Sequence, residues 1–227
     1  MIIGVIRRAD YWLPSAYAEA VRSGRTVRLG PDFVDRRGHL LDHRSLLERW
    51  SSAFDQVRFV PYLETDKADP AAVPRRFLHA CGVPMETTAN WPRPDRLSRP
   101  GLSATAVEVL RRISPALELQ EWTSGADRER LVNLLAERHP GSGVRLTPAA
   151  DSALTRRGWI RTGVDSGPAA YGSGWQQWRD ADPAPVENAA QPSDTAIGAT
   201  LLAVRATGLG RRSIIRRARA LMHRLRS

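Results

Sequence analysis

The chain opens on a near-continuous apolar run, Met1 to Ile6, rich in β-branched residues and cut off by two arginines. A short, sharply bounded run of this kind predicts a strand buried on both faces. Leu13, Tyr17, Ala20 and Val21 then recur on one face of a helix from about Tyr11 to Ser23, with Pro14 and Ser15 near its start and Gly24 just past its end. A polar, turn-rich connection leads to residues 42–54, where Leu46, Leu47, Trp50 and Phe54 fall at helical spacing. "VRFVPY", residues 57–62, alternates before closing on apolar positions and predicts a second strand. A helical crossover of this length makes it parallel to the first. A helix over 69–83 follows, with Val73, Phe77, Leu78 and Cys81 inward and Gly82 as its stop.

Beyond Pro84 the pattern thins. "ETTANWPRPDRLSRPG" has three prolines and few apolar anchors, which predicts a surface loop. Helices are expected at about 103–114, 126–138 and 148–157; Ser103 caps the first, which presents Val107, Leu110 and Ile113 to a core. Residues 158–192 mix Gly, Ala, Pro and Asp with Trp159, Trp175 and Trp178 and end in a linker-like stretch. The expected division is therefore 1–157, 158–192 and a helical region over 193–227. The expected fold class is α/β, an incomplete parallel sheet of about two strands with a mostly helical remainder. Two strands leave backbone groups in need of partners, so either further strands come from elsewhere or the fold is incomplete.

Charge changes this picture at one end. The formal charge is +10, but residues 210–227 hold seven arginines and no acid, which leaves +3 for the rest. Of the 34 basic residues only Lys67 is lysine, a bias that weakens any inference of nucleic-acid binding from arginine content. The arginines also lack interleaved aromatics, so nucleic acid is not expected as a partner. Ile214, Ala218, Leu221 and Leu225 line one side of a basic amphipathic tail that suits an anionic membrane, a protein partner or its own domain.

A single cysteine, Cys81, permits no internal disulfide and no paired-thiolate metal site, which fits a cytoplasmic location, peripheral to the membrane if the tail binds lipid. The longest apolar stretch, "AIGATLLAV" at 196–204, is about half of what a bilayer span needs. No basic region precedes the first apolar run, so a signal peptide is not expected.

The chemistry concentrates at the start. Arg7 leaves the carboxyl end of the first strand and Ser15 follows eight residues later in the next helix. In open α/β sheets ligands bind outside the carboxyl ends of strands, and a helix N-terminus there favours phosphate. A structural alternative has Arg7 paired with Asp10 or capping a neighbouring element, and Ser15 serving only the helix start.

"VIRRADYWLPSAYAEAV" is similar to the 3′-phosphate-binding segment of P-loop sulfotransferases, and the successive segments "DHRSLLERWSSAFDQVRFVPYLE", "FLHACGVP" and "LSATAVEVLRRI" resemble bacterial sulfotransferase-like proteins over about residues 2–155. The resemblance implies a P-loop-type sheet and sulfuryl transfer from 3′-phosphoadenosine 5′-phosphosulfate to a hydroxyl or amine of a glycan or small molecule. It implies that Arg7 and Ser15 hold the 3′-phosphate, and it calls for no metal. In that family the phosphosulfate-binding loop and the usual catalytic base precede this segment, and only six residues precede Arg7 here. The expectation is thus the C-terminal part of the fold, inactive alone, from a misplaced start, a disrupted gene or a truncated product. The alternative is a non-catalytic binding or membrane-peripheral protein acting through its basic tail.

Weaker signals remain. "RRG" at 156–158 has the form of a second 3′-phosphate motif, His39 and His43 stand four apart as metal ligands can, and Glu64 and Asp66 follow the second strand.

Overall fold

A computed structural model of the chain describes residues 1–63, 69, 71–89, 101–117, 125–159, 184–207 and 209. Its first strand, β1 (Ile2–Arg7), and its second, β2 (Val57–Tyr62), form a two-stranded parallel sheet. The register runs from Ile2 opposite Val57 to Arg7 opposite Tyr62, so both strands end on the same rung. Between them lie α1 (Ala9–Arg22), α2 (Pro31–Leu41) and α3 (His43–Ser51). After β2 come α4 (Ala72–Ala80), α5 (Met85–Ala89), α6 (Ala104–Leu117), α7 (Gly125–Arg138), α8 (Pro148–Arg156) and α9 (Asp194–Ala206). The class is mixed α/β and mostly helical, with a two-stranded parallel sheet, as the hydropathy pattern predicts.

Two compact units divide the chain, and the boundary falls inside α1 between Pro14 and Ser15. The first comprises residues 1–14, 29–99 and 146–187. Its sheet packs on α3: Ile6 and Phe59 are buried, with Leu46, Leu47, Trp50, Val57 and Leu63 packed around them. The Trp50 and Phe59 rings meet at 5.7 Å in a tilted arrangement. Gly4 permits this approach, because a Cβ there would stand 2.9 Å from the Trp50 ring. The opposite face is more open. Val5 is 48% exposed, so β1 is not buried on both faces as its composition suggested; Ile6 is its one fully buried residue. An unbroken β-branched run reports β propensity as much as burial, which is why the reading overshot.

Helix α2 occupies the stretch expected to be a turn-rich connection. Pro31 takes the first helical position, where its missing N–H costs nothing, and Phe33, Val34 and Leu41 are buried one to two turns apart. It lies against α8: Gly38 faces the Trp159 ring, Arg157 donates to Asp35 at 3.0 Å, and the Thr147 hydroxyl donates to the Leu29 carbonyl at 3.0 Å. Asp42 ends α2 and caps α3, accepting from the Ser45 N–H at 3.0 Å. Gly24 and Gly82 carry φ of 89° and 91°, the left-handed conformation that terminates α1 and α4 where the sequence reading placed stops. The short α5 occupies the start of the proline-rich stretch read as loop.

The second unit comprises residues 15–28, 100–145 and 188–227. Val107, Leu110 and Ile113 of α6, Leu131 and Leu135 of α7, and Val204 of α9 are buried in it, with Tyr17, Ala20 and Val21 from α1. Ser103 caps α6 as expected, accepting from the Ala106 N–H at 3.0 Å, and its hydroxyl donates to the His139 carbonyl at 2.6 Å. His139 Nε2 in turn lies 2.9 Å from the Thr200 hydroxyl, joining the end of α7 to α9. Each of the two units is assembled from three separate stretches of chain.

Candidate functional site

At the carboxyl end of the sheet, the Arg7 guanidinium sits over the Tyr62 ring, 4.9 Å from its centroid. The contact follows from the register, since Arg7 and Tyr62 are the last paired residues of their strands and point to the same face. A cation over a tyrosine face gains roughly 0.5–2 kcal/mol and holds the guanidinium at the strand end. Half-buried Arg7 is thus aimed where α/β folds bind ligands.

Ser15 is exposed on α1. The helix begins at Ala9, two residues earlier than its periodicity implied, so Ser15 stands in the second turn rather than the first. Asp10 is the reason. Its Oδ1 accepts from the Tyr11 N–H at 3.1 Å, while the Arg8 carbonyl accepts from the N–H groups of Tyr11 and Trp12. An internal carboxylate therefore already takes the favourable anionic position at the helix start. Arg7 and Ser15 fall on opposite sides of the boundary between the two units.

The same carboxylate bears on the pairing of Arg7 with Asp10. Asp10 pairs with Arg8, not Arg7, through Nε at 3.1 Å and Nη2 at 2.6 Å, with both side chains buried. Asp10 Oδ2 also accepts from the Ala184 N–H at 2.9 Å, tying the β1–α1 junction to a segment 174 residues away. Arg8 is thus absorbed by the fold, and Arg7 is the arginine carried to the sheet end.

Arg76 was not singled out from sequence. It lies on α4 and donates Nη2 to the Pro61 carbonyl at 3.0 Å, one residue before Tyr62. The signal that could have found it is the "PRR" of "AAVPRRFLHA", two arginines on the first turns of a helix that follows a strand end. Its neighbour Arg75 instead pairs with Asp69.

In "RRG", Arg157 is engaged by Asp35 and by the Trp159 ring, 5.7 Å from its centroid. His39 and His43 do not share a helix face, because the chain breaks between α2 and α3 at Asp42; His39 is exposed and His43 is buried. Burial pushes the His43 imidazole down to about 4, so it is neutral at pH 7. Burial, reinforced by Glu108, raises the Tyr17 phenol to about 12. Among the described residues no group of three or more His, Cys, Asp or Glu side chains could hold a metal ion, and no helix is long and apolar enough to cross a membrane. Glu64, Asp66 and the basic tail at 210–227 lie outside the described residues.

No protein-family model matches the chain, and no solved structure matches it. It is similar to an uncharacterized protein of Archaeoglobus fulgidus, 32% identical over 137 residues, which are 60% of this chain and 35% of that protein. The matched part spans about a third of the length of that relative.

Proposed function

We propose that the chain carries the nucleotide-phosphate part of a sulfotransferase-like protein, which transfers a sulfuryl group from 3′-phosphoadenosine 5′-phosphosulfate to a hydroxyl or amine of a glycan or small molecule. The observation that carries the reading is Arg7, projected from the carboxyl end of a parallel strand and held over Tyr62, immediately before the helix that bears Ser15. In this reading Arg7 binds the 3′-phosphate through charge-assisted hydrogen bonds and Ser15 adds a hydroxyl donor. Both position the donor without touching the transferred group, so their contribution is orientation rather than proton transfer.

Titration calorimetry with adenosine 3′,5′-bisphosphate and with adenosine 5′-monophosphate tests the reading. The bisphosphate should bind at least tenfold more tightly, and Arg7→Ala should remove that preference. Equal binding of the two nucleotides, or none, would refute it.

A second reading rests on the seven arginines of residues 210–227 against a body of +3. A peripheral membrane protein would sediment with vesicles containing anionic lipid and lose that binding when residues 210–227 are removed. Unchanged sedimentation after removal would eliminate it.

A further inference from the structure

Residues 183–187 read Pro-Ala-Pro-Val-Glu, so Ala184 carries the one backbone N–H of its Pro-Ala-Pro run. Pro185 also confines Ala184 to extended backbone, which lowers the entropy lost when the segment docks. That single N–H donates to Asp10 Oδ2 at 2.9 Å, and Ala184 is 8% exposed. Three residues on, the Glu187 N–H donates to the Leu146 carbonyl at 2.8 Å, and Val186 makes an isolated parallel bridge with Leu146. Residues 184–187 thus lie as a strap within the first unit, docked on the β1–α1 junction at one end and two residues before α8 at the other.

Its hold is light. Pro185, Val186 and Glu187 are exposed, so Ala184 is the one buried residue of the strap. A segment that buries so little sits at the low end of the local stabilities within a fold. The acid at its docking point also tolerates its departure. Asp10 accepts from Arg8 Nε at 3.1 Å, Arg8 Nη2 at 2.6 Å, the Tyr11 N–H at 3.1 Å and the Ala184 N–H, which fills the roughly four acceptor positions of a carboxylate. Arg8 and Tyr11 lie within two residues of Asp10, whereas Ala184 comes from 174 residues away. Loss of Ala184 leaves both oxygens paired with Arg8, so opening the strap gives up one hydrogen bond and one buried alanine without stranding a buried charge.

We infer that residues 184–187 are a latch: the strap opens and closes while the sheet stays folded, and Asp10 passes its state to the β1–α1 junction. With the strap docked, donors on both oxygens fix the plane of the carboxylate across the first turn of α1. With it open, Oδ2 keeps Arg8 alone and the carboxylate can turn. That loosens its bond to the Tyr11 N–H and the turn in which the Arg8 carbonyl accepts from Tyr11 and Trp12. The carboxyl end of β1, where α/β folds bind ligands, thereby takes a clasped and a loosened form. The latch is independent of which ligand binds there.

Amide hydrogen exchange, read by nuclear magnetic resonance on the full chain, tests it. In the parent, Ala184 should exchange at least about tenfold faster than Gly4 and Val60, which lie inside the sheet. Ala184→Pro removes the donor at a position already confined to backbone that proline adopts. It should speed exchange at Tyr11 and Trp12 by roughly fivefold or more while Gly4 and Val60 keep their rates. Three results would overturn the inference: Ala184 exchanging as slowly as the sheet, Tyr11 and Trp12 unchanged in Ala184→Pro, or all these amides speeding up alike, which would make the strap a fixed part of the core. Should Ala184→Pro not fold, Pro185→Gly takes its place, because it keeps the Ala184 N–H and removes the stiffening. It should speed Ala184, Tyr11 and Trp12 and spare Gly4 and Val60; unchanged rates at Tyr11 and Trp12 would overturn the latch.

Discussion

Asp10 grips Arg8 with both carboxylate oxygens, at 3.1 and 2.6 Å, in a site where the acid is only 1% exposed. Two adjacent arginines therefore have separate fates: Arg8 is locked into the interior and Arg7 is delivered to the sheet end.

The two halves of this pair should differ in worth. Asp10→Ala removes the carboxylate paired with a buried guanidinium and also the acceptor of the Tyr11 and Ala184 N–H groups, so it should cost about 3–5 kcal/mol. Arg8→Met leaves a carboxylate that still accepts both backbone donors at a helix N-terminus, and should cost roughly 1–3 kcal/mol. Urea denaturation of the two variants measures the difference, and equal losses or the reverse order would contradict the geometry.

At Gly38 two effects oppose each other. Alanine gains about 1 kcal/mol of helix propensity over glycine, but its Cβ would lie 2.1 Å from the Trp159 ring. The bulky indole must shift, and overpacking of this kind costs about 1–3 kcal/mol. Gly38→Ala should therefore lower the melting temperature in the parent and raise it in a Trp159→Leu background. A stabilised single variant would show that α2 and α8 do not meet through this glycine.

His43 predicts a pH dependence. Its imidazole titrates at about 4 when folded and at 6.5 in its ordinary state, so the unfolded chain binds the extra proton between these values. The stabilisation from burying the neutral ring is complete above pH 6.5 and is lost as pH falls through 4. For a shift of this size it amounts to roughly 3 kcal/mol. His43→Gln should lose less stability than the parent between pH 7 and 4.5, read as the difference of two urea titrations. Asp42, beside His43, is the one carboxylate whose titration the substitution also touches; the others titrate alike in both chains, so parallel slopes would refute the assignment.

Ser103 joins two requirements in one hydroxyl, accepting from Ala106 and donating to the carbonyl of His139. Ser103→Ala should cost about 1–2 kcal/mol, and Ser103→Thr should restore most of it. Ser103→Asp should not, because a carboxylate caps the helix but repels the His139 carbonyl. Thermal melts rank the three variants, and full rescue by aspartate would rule out the bond to His139.

Elements whose cause is local were legible in the sequence: β1 and β2, their parallel sense, α3, α4 and α6, the stops at Gly24 and Gly82, and the cap at Ser103. Helix α2 was not, because Arg36, Arg37 and Gly38 interrupt a short apolar face whose partner, α8, is more than 100 residues away. Half of the candidate site was readable, since a strand that ends in Arg7 before a helix is a one-dimensional pattern. The contacts that aim the arginines were hidden. Tyr62 meets Arg7 through strand register, Arg76 reaches Pro61 from another element, and Asp10 pairs with Arg8.

The bond from Asp10 to Ala184 sets a timetable for synthesis. The first unit draws on three separated stretches, and its final strap, residues 184–187, closes on β1–α1 and on Leu146, whose carbonyl accepts from the Glu187 N–H at 2.8 Å. A nascent chain emerges at about 5–20 residues per second, so the β1–α1 junction waits on the order of ten seconds for that strap to leave the ribosome. High contact order also makes the closing step slow on its own account. The β1–α1 junction thus takes its finished form among the last parts of the unit.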